Sequence, residues 1–194
     1  MARETVELPG ASLVYERDWL ETGEARALFE ALRATLPWER HRITVYGRSL
    51  DAPRLSCWIG DAAYTYSGTR FEPHPWPDAL ASVRERLERE LDAGFNSVLA
   101  NLYRDGNDRL GFHRDSEPEL GPEPLIASIS LGATRRFRLR ERKGRGSFGI
   151  DLTHGSLLVM SGATQRHWLH AVPPMARAVG PRINLTFRSV LSHP

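Results

Sequence analysis

The sequence predicts an α+β protein, mostly β, built as an antiparallel barrel or sandwich flanked by helices. Three observations carry this. Two helix-period apolar stripes occur before Gly94 and none follows it. After Gly94 come short apolar segments separated by glycines and prolines, the pattern of helices first and many strands after. The last segment, Arg182-Ile183-Asn184-Leu185-Thr186-Phe187-Arg188, alternates strictly, the two-residue period of a strand. The 194 residues suit a single domain over 1–194, with no composition break to divide it.

The elements follow in order. Residues up to about 18 read as an arm with a short strand over 11–15. A helix is predicted over 21–36, where Leu28, Leu32 and Leu36 fall four apart and Phe29 joins their face; Thr22 is its N-cap and Pro37 its stop. Residues 42–47, 55–59 and 63–66 read as strands, the last two joined by a turn at Gly60-Asp61. A second helix runs over 77–93 on Leu80, Val83, Leu87 and Leu91. Glu85/Arg89 and Arg86/Glu90 pair on its solvated face, and Gly94 sits at its C-terminal turn. Strands are expected over 97–103, 125–131, 134–140, 149–152, 156–160, 168–172 and 183–190.

Composition bounds the class. The hydrophobic fraction of 41% and charged fraction of 26% are those of an ordinary globular protein. No apolar run is long enough to span a bilayer, and no apolar stretch marks a signal peptide, so a cytoplasmic location without a membrane is expected. Cys57 is the only cysteine, which suits a reducing compartment. Lys143 is the only lysine among 26 basic residues. Arginine favours planar contacts to carboxylate and phosphate, although a GC-rich coding sequence produces the same bias.

The chemistry centres on His113-Arg114-Asp115. A histidine and an aspartate two apart in extended chain point the same way and can share a cation. A second histidine would complete the two-His, one-carboxylate triad that suits Fe(II) and leaves open positions. His167 and His170 are both candidates; three apart on a strand, they face opposite ways, and spacing does not choose between them. His154, before Gly155, reads as a turn residue, and His41, His74 and His193 as surface residues. On the last strand Arg182, Asn184, Thr186 and Arg188 share one face. That face is either solvated or turned into a barrel. Two inward arginines are costly unless they meet anions, and the pair, about 20 Å apart along the strand, could hold the ends of a small dicarboxylate. Asn101 and Tyr103 share a face of their own strand. Trp58, Tyr64 and Tyr66 lie near Arg48 and Arg54, either as packing for a small hairpin layer or as a lid that stacks a nucleobase.

Several segments together resemble the AlkB family of Fe(II)/2-oxoglutarate dioxygenases. They are Tyr64-Thr65-Tyr66-Ser67-Gly68, Asn101-Leu102-Tyr103-Arg104-Asp105-Gly106, His113-Arg114-Asp115-Ser116-Glu117, Ala127-Ser128-Ile129-Ser130-Leu131-Gly132-Ala133, Gly162-Ala163-Thr164-Gln165, Trp168-Leu169-His170 and Pro181 to Arg188. The similarity covers most of the chain from Trp38, in order, and is closest to the homologues that repair alkylated nucleic acids. The resemblance implies a double-stranded β-helix (jelly roll) core over 94–192 and a nucleotide-recognition lid over 38–72. It implies that His113, Asp115 and His170 bind Fe(II). It implies that Arg182 and Tyr103 bind the far carboxylate of 2-oxoglutarate, with Arg188 and Asn101 near its chelating end and Asn184 and Thr186 on the same wall. Tyr46, Trp58, Tyr64, Tyr66, Arg114, Ser116 and Glu117 fall at positions facing the substrate. The family's close relatives carry a second acid where this chain has Ser116.

The implied activity is oxidative demethylation of N-alkylated bases of the 1-methyladenine and 3-methylcytosine type in DNA or RNA, by a monomer. It consumes O2 and 2-oxoglutarate and releases succinate, CO2 and formaldehyde. The target base must leave its stack, which a lesion that weakens pairing makes easier. The alternatives are an oxygenase acting on protein, lipid or a small molecule, and a non-catalytic cupin-like metal or nucleic-acid binder. The basic run Arg135, Arg136, Arg138, Arg140, Arg142, Lys143 and Arg145 reads either as a charged sheet edge that discourages pairing or as a phosphate-attracting surface. Phe137 and Leu139 are expected to face inward, and Arg136, Arg138 and Arg140 outward.

Overall fold

The computed structural model describes residues 3–45, 48–66 and 69–191. Two antiparallel sheets stack face to face. The larger has seven strands in the order β1 (Arg3–Leu8), β2 (Ala11–Glu16), β13 (Ser156–Ser161), β10 (Ile126–Gly132), β15 (Arg182–Arg188), β8 (Ser97–Tyr103) and β5 (Leu55–Gly60). The smaller runs β12 (Ser147–Leu152), β11 (Arg135–Glu141), β14 (Trp168–Val172) and β9 (Leu110–His113). From β8 onward the eight strands divide four and four between the sheets, and sequence neighbours often lie in opposite sheets. This is the double-stranded β-helix of a jelly roll.

Two cores follow from strand alternation. Ile183, Leu185 and Phe187 of β15 join Ala127, Ile129 and Leu131 of β10 on the outer face of the larger sheet. There they meet Leu28, Phe29 and Leu32 of α1 (Thr22–Thr35) and Leu80, Val83 and Leu87 of α2 (Asp78–Leu91). The second core lies between the sheets, where Ile126 and Leu158 meet Phe137 and Leu139. Both faces of β8 and β15 are therefore covered. The polar face of β15 lies inside the jelly roll and is not solvated, with Arg182 and Arg188 both buried.

Several local expectations are corrected. Thr22 is the first helical residue; Glu21 precedes it at the cap position and makes no side-chain cap bond. Helix α2 ends on Asp92 in the left-handed region (φ 50°), which a short polar side chain tolerates, so Gly94 is not needed for that turn. Arg86 is more than a solvated partner of Glu90: it donates to the Trp19 carbonyl at 2.6 Å and lies 4.2 Å from the Trp19 ring centroid. The N-terminal arm is a hairpin. Strand β1 pairs with β2, which adds to β13, and Gly10 takes φ 66° at the tip.

Residues 38–72 do not form one layer. Strands β3 (Arg42–Val45) and β4 (Arg48–Asp51) make one hairpin, and β6 (Tyr64–Tyr66) and β7 (Thr69–Phe71) another, both outside the main sheets. Between them β5 belongs to the larger sheet, paired with β8. No helix among the described residues is long and apolar enough to cross a membrane.

Candidate active site

Strands β9 and β14 are neighbours, and their register sets His113 directly opposite His170 with ring centroids 4.2 Å apart. Asp115 lies just past the end of β9 and returns to the same point. One ligand atom from each of His113, Asp115 and His170 lies within 4.8 Å of the others. His167 ends a short helix, α3 (Thr164–His167), and packs against Gly10 away from this cluster. The choice that spacing left open thus falls on His170. A bulge completes the arrangement: His170 opposes His113 while Val172 opposes Leu110, one residue more on β9 than on β14. The extra residue lets both Leu110 and His113 line the interior.

Asp115 is 1% exposed and held from two sides. Its backbone N–H donates to Gln165 Oε1 at 3.0 Å. Its Oδ2 accepts from Arg188 Nη2 at 2.8 Å and Nε at 3.2 Å. Its Oδ1 has no hydrogen-bond partner among the described residues. Burial pushes the Asp115 carboxyl up, but Arg188 first, then His170 and His113, hold it well below the usual carboxylate range. Burial, joined by the neighbouring His113, drives His170 down to about 3; burial also lowers His113 against the opposing pull of Asp115. Both imidazoles are therefore neutral at pH 7, the form that binds a metal. His113 Nδ1 lies 2.9 Å from the Gly111 carbonyl. Donating there fixes the proton on Nδ1 and leaves Nε2, which faces Asp115 Oδ1 at 3.8 Å, as the ligand nitrogen. Two neutral imidazoles and one free carboxylate oxygen are a donor set that can hold Fe(II).

Gln165 holds Asp115 from outside the ligand set, is itself 2% exposed, and its Nε2 meets Met160 Sδ at 3.7 Å. Gln165→Met should weaken Fe(II) or Co(II) binding about 10- to 100-fold, the usual cost of losing an outer-shell partner. Gln165→Glu keeps an acceptor for the Asp115 N–H and should restore most of the affinity. Metal titration by calorimetry checks both; equal losses in the two variants would assign Gln165 to packing alone.

Next to the triad lies a wall of buried polar groups on β15. Arg182 is fully buried, at 0% exposure. Its Nη2 donates to Ser130 Oγ at 2.8 Å and Asn184 Oδ1 at 2.9 Å, while Nε and Nη1 have no partner among the described residues. Burial lowers its pKa to about 10, so it remains charged at neutral pH. Asn184 in turn donates to Ser128 Oγ and to Thr186 Oγ1, each at 3.1 Å. The Arg182 guanidinium carbon is 5.1 Å from the Tyr103 ring centroid. A buried cation with two open N–H groups fits one carboxylate of 2-oxoglutarate. Arg188, at the other end of the same strand, donates to Asp115 through Nε and Nη2 and so stands beside the triad. Asn101, on the β8 face shared with Tyr103, accepts from Arg54 Nε at 2.7 Å.

The residues expected to face the substrate separate. Trp58 is corrected: it is 2% exposed, packed with Leu99, Leu120 and Val190, and its indole N–H donates to the Ala62 carbonyl, so its ring serves the core. Tyr64 and Tyr66 lie on β6. Tyr46 lies outside the described residues. Arg114 and Ser116 line an open concavity of about 230 Å³ beside Asp115, together with Gln165 and Arg166. Glu117 caps the Ser116 backbone N–H at 2.9 Å.

Three buried residues play parts that their sequence positions do not signal. Arg54 reaches Asn101 across 47 positions, and Gln165 reaches Asp115 across 50. Arg135 leaves the basic run altogether: buried, it donates to the carbonyls of Asp105, Asp108 and Pro173 and lies 5.4 Å from the face of Tyr103. The one available signal is the strand period, which puts Arg135 on the inward face with Phe137 and Leu139.

Fold and site together describe an Fe(II)- and 2-oxoglutarate-type oxygenase. The family model of the 2OG-Fe(II) oxygenase superfamily matches residues 12–188, and the chain belongs to that superfamily. Within it the chain belongs to the AlkB family. It is 40% identical over 186 residues to alpha-ketoglutarate-dependent dioxygenase alkB homolog 3 of Bos taurus, covering 91% of this chain and 65% of that protein. It is 37% identical over 220 residues to DNA oxidative demethylase ALKBH2 of Arabidopsis thaliana, covering 98% of this chain and 70% of that protein. The chain thus spans just under two thirds of the bovine relative's length. Among solved structures it resembles a Pseudomonas putida prolyl-4-hydroxylase in fold, with TM-score 0.61 at 17% identity over 93% of each chain.

Proposed function

We propose that the chain is an Fe(II)- and 2-oxoglutarate-dependent nucleic-acid dealkylase that removes N-linked methyl groups from bases of the 1-methyladenine and 3-methylcytosine type. The observation that carries the oxygenase reading is Asp115. Buried and charged, it gives one oxygen to Arg188 and keeps the other free between two neutral imidazoles. The nucleic-acid substrate is supported by relatives named as oxidative demethylases of DNA. Bound iron and 2-oxoglutarate would together supply an oxidant from O2, with the cosubstrate ending as succinate and CO2. His113, Asp115 and His170 would hold the iron. Arg182, with Tyr103 beside it, would bind the far carboxylate of 2-oxoglutarate, while Asn101, Asn184 and Thr186 line the wall between. Arg188 keeps Asp115 ionised and holds its Oδ2, which would leave Oδ1 to hold the iron.

The target base would leave its stack to reach this buried site. Its approach would run past Arg114, Ser116 and Glu117, with the two hairpins of 38–72 as a lid. The reading takes the protein as a monomer in the cytoplasm, where the free and buried Cys57 stays reduced.

The test is a mass-spectrometric assay with Fe(II), 2-oxoglutarate, ascorbate and oligonucleotides carrying 1-methyladenine or 3-methylcytosine. Loss of one methyl group, dependent on 2-oxoglutarate, is the expected result. Steady succinate production with both oligonucleotides unchanged would sink the nucleic-acid reading and leave an oxygenase of another substrate class.

A further inference from the structure

We propose that the outer face of the four-stranded sheet is a platform for the nucleic-acid strand flanking the target base, with Arg138 and Arg140 on its phosphates and Phe112 under one of its bases. The proposal rests on the nucleic-acid reading above. It begins from a correction. Strand β11 is not a sheet edge; it is paired with β12 on one side and β14 on the other. Its outward arginines therefore do not serve to block edge pairing.

The register shows what surrounds them. Phe137 and Leu139 are buried, while Arg136, Arg138 and Arg140 are exposed on the opposite face. Arg138 stands between Gly149 and Ala171, and Arg140 between Ser147 and Leu169. Gly149, Ala171 and Ser147 are small, and the two guanidiniums line a shallow open concavity of about 420 Å³ that Phe112 also lines. The carboxylate facing this surface is that of Asp151, which pairs with Arg136 at 3.2 Å. Arg138 has no ion-pair or hydrogen-bond partner among the described residues. The face is thus positive and largely uncompensated.

Phe112 is the second, independent feature. The bulge that turns Leu110 and His113 inward turns Phe112 out, where it is 41% exposed. The Arg140 guanidinium lies 4.3 Å from its ring centroid. An exposed ring flanked by arginine is the pairing that single strands use: bases stack on the aromatic face, and the cation meets phosphate or a base plane. Successive outward arginines on a strand are about 7 Å apart, a spacing that lets both track one extended backbone. The platform is close to the chemistry. Phe112 directly precedes His113, and Leu169 opposite Arg140 directly precedes His170. An acidic protein segment could also meet the arginines, but a nucleic-acid strand carries a planar base beside every phosphate, the combination that two arginines and one exposed ring match.

The test uses the full chain and a labelled, unmodified single-stranded 15-mer in anisotropy titrations over a salt series. Arg138→Gln with Arg140→Gln should lower affinity and reduce the log–log salt slope by about 0.7 for each phosphate no longer neutralised. Phe112→Ala should lower affinity with the slope unchanged. A methylated trinucleotide, which offers fewer flanking phosphates, should be slowed less by the arginine substitutions than the methylated 15-mer. Wild-type affinity and slope in all variants would overturn the platform, and with it assign the face to an acidic protein or to solvent. Wild-type protein that demethylates neither oligomer would instead overturn the nucleic-acid reading itself.

Discussion

Asp115→Ala is expected to abolish 2-oxoglutarate turnover and to lower the melting temperature, whereas His113→Ala is expected to abolish turnover with a smaller thermal cost. Both remove one of three metal ligands, and two neutral histidines, or one histidine and a carboxylate, leave an incomplete set. The thermal contrast comes from Arg188. Truncating Asp115 leaves the buried guanidinium without its carboxylate, and breaking one side of a buried ion pair costs about 3–5 kcal/mol. His113 leaves no such orphan behind. Burial keeps its imidazole neutral, so its removal takes no counter-ion from a buried charge. The pH dependence has a definite sign. The Asp115 carboxyl is held low in the folded protein, so its contribution to stability is complete above the ordinary carboxylate range and is lost as pH falls through that range toward the native value. Succinate release and thermal melts across pH check both statements. Turnover by either variant at the wild-type rate would remove the triad from the mechanism. Equal melts would show that Arg188 does not depend on Asp115.

The elements with a clean period were readable from residue order alone. The stripe of Leu28, Phe29 and Leu32, the alternation of Arg182 to Arg188, and the two-residue spacing of His113 and Asp115 are local patterns, and local geometry turns them into faces. What the order of residues hid was long-range or irregular. Strand β9 is four residues with a glycine and a bulge, too short for a period to show, yet it carries His113. Arg135 looks like one of seven basic residues; the distant carbonyls of Asp105, Asp108 and Pro173 make it structural. Trp58 stands among tyrosines and arginines in sequence, but on the edge strand β5 it packs with Leu99, Leu120 and Val190, residues some forty and more positions away. Gln165 and Arg54 act on partners some fifty positions away, which no window of sequence contains.

Arg182→Met should separate ligand binding from folding more sharply than any other substitution. In the native site Arg182 is a fully buried cation with Nε and Nη1 unpartnered among the described residues, beside a second buried guanidinium at Arg135. Without a bound anion this arrangement is unfavourable, since buried charge is stable only when paired. Methionine fills much of the same volume without charge, and such replacements are often neutral or stabilising. The remaining cost is small: Ser130 and Asn184 lose a donor, and Asn184 keeps Ser128 and Thr186. The variant is therefore expected to melt at or above the wild type when 2-oxoglutarate is absent. With 2-oxoglutarate the order should reverse. Removing one partner of a buried, charge-assisted pair costs about 2–5 kcal/mol, so half-saturation should rise at least about 30-fold. At a concentration near 100 Kd for the wild type, ligand should stabilise the wild type by about 2.7 kcal/mol and the variant by far less. Melts with and without the cosubstrate, using Mn(II) or Ni(II) to prevent turnover, read both halves. A variant still shifted by 2-oxoglutarate as much as the wild type would place the far carboxylate elsewhere. One that melts lower without ligand would show that Arg182 is a structural cation first and an anchor second.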